Sequence, residues 1–247
     1  MKRPSILIFT FLMFLAGNSL FAQVNGIKSA SSNYGSTSSV RSGGSDAGYS
    51  GGYFVFDIFF NVVFGEIIRA QQNQLQRRHE VPGMISFEAM VQTGVQPSGY
   101  YLIHPRARVN WGLFSSDFRF NYLIEEGIDE VTHIRTNDWQ ILQLNLVRTR
   151  DVTFRIGGGI MTESYSGDKS FPEWTAALQF QPHTSKLGGV AEYRDAEVRT
   201  EVSAFAQYNL FNRAATHGFV TGGAVFQRYY NSISVWGMQG GLLFKFY

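Results

Sequence analysis

The residues best suited to moving a proton or holding a metal are five histidines, His79, His104, His133, His183 and His217. No two have the close spacing of a helical zinc motif, and the 247-residue chain has no cysteine. Thiolate metal sites, a cysteine nucleophile and a disulfide framework are therefore excluded. His133 with Asp129 and Glu130 offers ligands to a cation, though solvated loop charges account for the same grouping. A lipid hydrolase or acyltransferase would need Ser, His and an acid together. The nearest candidates are His217, Ser203 and Glu201, on neighbouring strands, and they reproduce no recognised lipid-enzyme motif. Gly157-Gly158-Gly159 lacks the helix and lysine of a phosphate loop and reads as a strand kink. The sequence predicts no cofactor, no metal site and no catalysis.

A larger set of chemically active groups is ionic. The side-chain alternation of the strands places Glu88, Asp117, Glu163, Glu173 and Glu201 on one face with Arg106, Arg108, Arg119, Arg155 and Arg199, five of each sign. His104 shares that face beside Arg106 and Arg108 and is read as a hydrogen-bonding group. Such charges can neutralise one another when a sheet curls their face inward.

The elements that would position them have period two. From Met84 onward, Ile85, Phe87, Ala89 and Val91 oppose Ser86, Glu88 and Gln92, and Val109, Trp111 and Leu113 oppose Arg106, Arg108 and Asn110. The same alternation recurs in later segments, such as Val152 to Ile160, Trp174 to Phe180 and Val198 to Tyr208. Ten strands can be drawn, at about 84–96, 100–114, 116–124, 138–148, 151–164, 172–182, 186–194, 198–210, 217–230 and 232–247; eight longer units are the alternative. Registers at 186–194 and 217–230 are ambiguous because glycines crowd both, and these glycines mark bends or close backbone approach. Glu125 to Asn137 reads as the longest outer loop, acidic and the first place to seek an external contact.

Ahead of the strands, residues 1–22 read as a cleaved secretory signal peptide, with Lys2 and Arg3, an apolar run from Ile6 to Leu15 and a small residue at Ala22. Removing Lys2 and Arg3 leaves 19 basic residues against 19 acidic ones, a formally neutral chain that argues against a nucleic-acid partner. Residues 23–52 are rich in Ser and Gly and read as a flexible leader. Residues 53–83 read as an amphipathic helix and linker, with the helix near 54–76. Its apolar surface suggests a protein partner, the membrane interface or the barrel itself, and an extra strand is the competing reading.

Composition narrows the class. Charged residues are 16% and aromatic residues 15%, with 26 glycines, which departs from the roughly 25% charge of ordinary globular domains. A soluble sheet would alternate too. Export, aromatic abundance and sustained alternation favour an all-β, closed antiparallel transmembrane barrel over residues 84–247, because an open sheet edge is not tolerated in hydrocarbon. The ending Leu242, Phe244, Phe246 and Tyr247 resembles the closing strand of small Gram-negative outer-membrane β-barrels of the general OmpX or OmpW kind. In this chain Tyr247 falls one step out of phase and Lys245 interrupts the pattern that includes it. The resemblance implies an outer-membrane location, contact with outer-membrane lipid, and those four residues as a signal read by the barrel-insertion machinery. It also implies that the chain termini and even-numbered turns face the periplasm. A structural or surface-binding role with a charge-filled lumen is the leading expectation; a narrow conduit for small or apolar solutes and an outer-membrane lipid-modifying hydrolase or acyltransferase are the alternatives.

Overall fold

The computed structural model describes residues 23–37, 64–76, 84–96, 99–126, 131–165 and 169–247. Two helices, α1 (Gln23–Thr37) and α2 (Phe64–Gln76), precede ten strands. The strands are β1 (Ile85–Gln96), β2 (Tyr100–Trp111), β3 (Phe114–Glu126), β4 (Val131–Arg148), β5 (Val152–Glu163), β6 (Lys169–Phe180), β7 (Leu187–Ala196), β8 (Arg199–Arg213), β9 (Thr216–Tyr229) and β10 (Ile233–Phe246). Each pairs antiparallel with its sequence neighbours, and β1 pairs with β10 to close the barrel. The expected closed antiparallel architecture with ten strands is therefore the one observed, and eight is excluded.

Along the middle of the barrel polar side chains point inward and apolar ones outward, while at one end inward positions are apolar, among them Leu102, Leu123, Ile134 and Val235. Val91, Trp111, Phe118, Trp139, Ile156 and Trp174 are exposed on the outer wall, as are Leu187, Val202, Val220 and Leu242. Gln92, Asn110, Asp117, Asp138 and Arg155 are buried within. The seam shows why glycine is needed at one point of the wall. A Cβ at Gly241 would run into the Val91 carbonyl and lie 2.7 Å from the Gln92 Cα, both backbone atoms of the facing strand. Gly241→Ala is therefore expected to push β10 from β1, and its measure is a smaller fraction of heat-resistant barrel on a gel run without boiling.

The greatest departure from expectation along the strands is at β4. The acidic loop expected at Glu125 to Asn137 is largely strand, because β3 runs to Glu126 and β4 begins at Val131. Glu125 is buried and accepts a hydrogen bond from the Tyr100 hydroxyl at 2.7 Å, so it is an interior group rather than a solvated loop charge. Asp129 and Glu130 lie outside the described residues, so the cation grouping with His133 does too. His133 itself sits on β4 with its ring 5.5 Å from that of Tyr122.

The expectation of a flexible leader fails over 23–37. The chain there is α1, whose Val24, Ile27, Ser31 and Tyr34 fall at helical spacing on one face. Val24 and Ile27 are fully buried among Tyr100, Leu102, Leu123, Ile134 and Val235. Two apolar anchors and a row of partners on the barrel offset the poor helix propensity of the Ser- and Gly-rich sequence. The Val24 N–H donates to Glu125 at 2.9 Å, and the Ser31 hydroxyl donates to Glu163 at 3.4 Å. The Tyr34 hydroxyl donates to Glu197 and its ring lies 5.7 Å from that of Tyr230. Residues 1–22, the expected signal peptide, and 38–52 lie outside the described residues.

Helix α2 lies within the expected 54–76 span and decides for helix over strand in its described part. It is keyed to the opposite end of the barrel. The Gln71 amide donates to the Trp111 carbonyl at 3.0 Å and accepts from the Leu113 N–H at 2.6 Å. That turn passes through Gly112 at φ 60°, and a Cβ there would collide with the Gln71 amide. No described helix is long and apolar enough to cross a membrane.

Candidate functional site

The interior of the barrel holds a continuous ion-pair network. It is assembled by the inward positions of seven adjoining or facing strands, with β10 adding Lys245 at one end. Asp117 on β3 is its first hub. Arg106 grips both its oxygens, with Nε and Nη2 at 2.8 and 2.5 Å, while Arg194 donates at 2.6 Å and Arg108 at 3.2 Å. Asp138 on β4 is the second. Arg119 and Arg199 each reach it at 2.7 Å, and Arg194 lies at 3.8 Å.

The remaining carboxylates link the hubs to the far wall. Glu192 receives Arg194 at 2.5 Å and Arg106 at 2.7 Å, and Glu173 receives Arg199 at 2.8 Å. Glu201 is bound by Arg119 at 2.5 Å and by the Gln227 amide at 2.7 Å. Glu88 meets Arg108 at 3.3 Å and Lys245 at 3.8 Å. Arg106, Arg108, Arg119, Arg194, Arg199 and Lys245 thus face Glu88, Asp117, Asp138, Glu173, Glu192 and Glu201, six charges of each sign. Burial of such groups is tolerable only when each finds partners, since removing an ion from water costs several kcal/mol. Bonds from β3 to β7 and β8 cross the interior, so the network bolts opposite walls together.

Eight of the ten residues expected on this face meet in the network. Arg155 and Glu163 are inside the barrel but elsewhere. Glu163 belongs to the α1 end, where Tyr230 and Ser31 donate to it and its expected arginine contact is replaced by hydroxyls. Arg155 donates to Gln179 at 2.8 Å and has no ion pair among the described residues. Sequence reasoning missed Asp138, Glu192, Arg194 and Lys245. The Glu192 and Arg194 alternation was present in the sequence, and glycines at the start of β7 obscured its phase.

The candidate catalytic trio is not assembled. Glu201 is held by Arg119, and Ser203 pairs with Val225, eight residues along β9 from His217. That separation corresponds to roughly 27 Å of strand. His104 is buried, with Nδ1 3.1 Å from the Gln239 amide. His183 lies on a turn, where it and its own N–H contact Asp151 at 2.9 and 2.7 Å and hold that carboxyl below its ordinary range. The described residues contain no group of three or more His, Asp or Glu that could hold a metal ion.

The four residues expected to form an insertion signal divide by phase. Leu242, Phe244 and Phe246 face outward, whereas Tyr247 turns its ring edge-on to His217 at 4.7 Å. Lys245 points inward to Glu88, which explains its interruption of the apolar pattern.

The seating of α1 over the other end has a pH signature. The hydrogen bond to Glu197 pushes Tyr34 up from 10.0 to about 12, with desolvation adding to it. Because the folded value is raised, this contribution to docking is complete below pH 10 and disappears as pH rises through about 12. Amide exchange over 23–37 is expected to accelerate across that window. Ile27→Asp is expected to accelerate it at neutral pH, since a charge replaces a fully buried side chain and forfeits about 2 kcal/mol of apolar burial.

No family model and no curated protein matches this chain. Among solved structures, the N-terminal β-barrel domain of Pseudomonas aeruginosa OprF matches it at 12% identity and a TM-score of 0.32, covering 66% of this chain and 99% of that one.

Proposed function

We propose that this protein is an integral outer-membrane barrel with a closed interior and a structural or surface-binding role. The observation that carries the reading is the inverted distribution of side chains. Every strand contributes large apolar residues to the outer wall, and paired ions occupy the middle of the interior. Water solvates the second class far better than the first, so this arrangement suits a hydrocarbon surround and is costly in water. Ion pairs spanning opposite walls and the burial of Val24 and Ile27 of α1 inside one end favour a filled barrel over a conduit. The resemblance at the last strand supports recognition of Leu242, Phe244, Phe246 and Tyr247 by the barrel-insertion machinery. A small outer-membrane barrel is as close a family as these features support. Export through a cleaved signal peptide at 1–22 is part of the same proposal, as is partner contact through 54–76.

The test is reconstitution of the full chain from urea into lipid vesicles. The expected result is a folded species that resists detergent until heated, sediments with lipid and leaves a planar bilayer without stepwise conductance. A monodisperse folded protein in buffer without detergent would overturn the membrane reading. Regular single-channel steps would overturn the closed interior and favour the conduit.

A further inference from the structure

At the end of the barrel that carries α2, opposite α1, a cavity of 380 Å³ opens among the even-numbered turns. That size is within the range of small-ligand sites, about 300–1,000 Å³. Its charge is strongly one-sided. Arg148, Arg150, Arg155, Lys186 and Lys245 line it, against the carboxylates of Glu88 and Asp151. Both carboxylates are already engaged, Glu88 by Arg108 and Lys245 and Asp151 by His183.

Arg155 supplies an independent sign of a ligand. It is 2% exposed, and among the described residues only its Nη2 has a hydrogen-bond partner, the Gln179 side chain. Its Nε and Nη1 are buried with no hydrogen-bond partner among the described residues. A guanidinium has five donors and cannot shed its charge, so leaving two of its nitrogens unpaired in a buried setting is costly unless another group arrives to accept from them. Lys245 is also buried, and its one carboxylate partner among the described residues, Glu88, is 3.8 Å away. Its ammonium lies 5.2 Å from the centre of the Phe219 ring.

We propose that this vestibule binds a small multivalent oxyanion, of which phosphate is the simplest, with Arg155 and Lys245 at its inner wall and Arg150 and Lys186 on the turns at its mouth. An oxyanion offers several acceptors to the unpaired guanidinium nitrogens and supplies the negative charge that the vestibule lacks. The ligand is a soluble one. Tyr247, the aromatic residue after β10 that lines it, packs on His217, and the other lining residues lie at inward or turn positions, so the cavity is entered from the strand ends and not from the lipid-facing wall. The site is independent of whether the barrel is structural or binds a partner on its other end.

The experiment is calorimetric titration of inorganic phosphate into the folded full chain in a neutral maltoside detergent at low ionic strength. The expected result is saturable binding that sulfate displaces and chloride does not. Arg155→Met should weaken it about tenfold or more. Lys186→Gln, at an exposed turn where folding is undisturbed, should weaken it by a smaller factor and decides the matter if the Arg155 variant fails to fold. Absence of saturable heat, or affinities in both variants equal to that of the parent, would overturn the proposal. Displacement of phosphate by phosphatidylglycerol micelles but not by sulfate would overturn the soluble ligand and assign the phosphate to a lipid headgroup.

Discussion

Asp117→Ala is expected to lower the stability of the barrel by about 3–5 kcal/mol, the cost of breaking a buried ion pair by removing one partner. The magnitude follows from how many cations depend on this carboxylate. Arg106, Arg108 and Arg194 all donate to it, and its side chain is fully buried. Removing it leaves three guanidinium groups sharing Glu192, Glu88 and Glu173, in an interior now one negative charge short. Urea unfolding in detergent micelles, followed by tryptophan fluorescence, measures the loss. Arg69→Ala is the matched control. Its contact with Glu66 at 2.8 Å is on the exposed face of α2, where ion pairs contribute about 0–1 kcal/mol. Equal effects of the two substitutions would show that the interior charges are hydrated and not bolted together.

Val91→Arg is expected to have the second largest effect, and only in a lipid surround. Val91 lies at the middle of β1, opposite Leu242 and Pro105, and is exposed on the outer wall. An arginine at the bilayer midplane costs about 2–4 kcal/mol in a transmembrane barrel. On the surface of a soluble barrel the same substitution would fall within about 0.5 kcal/mol of zero. Unfolding of both proteins in vesicles therefore separates the two surrounds with one side chain. The discriminating power comes from the site being featureless. Val91 makes no interior contact, and its removal disturbs neither the ion-pair network nor the vestibule.

The strands were legible in the sequence because a half-polar wall forces period two wherever pairing is regular. Nine of the ten are found close to where alternation puts them, and β4 begins earlier than expected, at Val131. The failures occur where pairing is irregular. In β4 the interior positions run Thr136, Asp138, Gln140 and then Gln143 and Asn145, a step of three. Ile141 and Leu142 consequently both face outward, at the register shift between Trp139 and Leu142. A bulge of this kind adds a residue to one strand only, and a single chain read by period cannot reveal it. Asp138, one of the two hubs, was hidden by that step. The α1 helix was missed for a different reason. Its composition describes an unstructured segment, and the tertiary burial of Val24 and Ile27 overrides it. The spacing of Val24, Ile27, Ser31 and Tyr34 was the available signal.

Arg155 illustrates a further limit. Its phase was correct, so its place inside the barrel was readable, but five charges of each sign suggested an acid partner for every arginine. Partnership depends on depth along the barrel axis, which is set by how neighbouring strands are staggered. Periodicity is silent on stagger. The consequence was an arginine counted into a neutral cluster that stands apart from it, at the wall of the vestibule.

The seam between β1 and β10 also governs the order of assembly. Phe87 is matched with Phe246 and Val95 with Met238, so the strand synthesised first is completed by the one synthesised last. Until then both margins of the growing ribbon offer free amide and carbonyl groups to any other chain. A ribosome stalled before the final hairpin would release a product with β1 and β8 as open borders, ready to trade strands with a second unfinished copy. An unfinished product of this kind is prone to aggregation unless those borders are shielded.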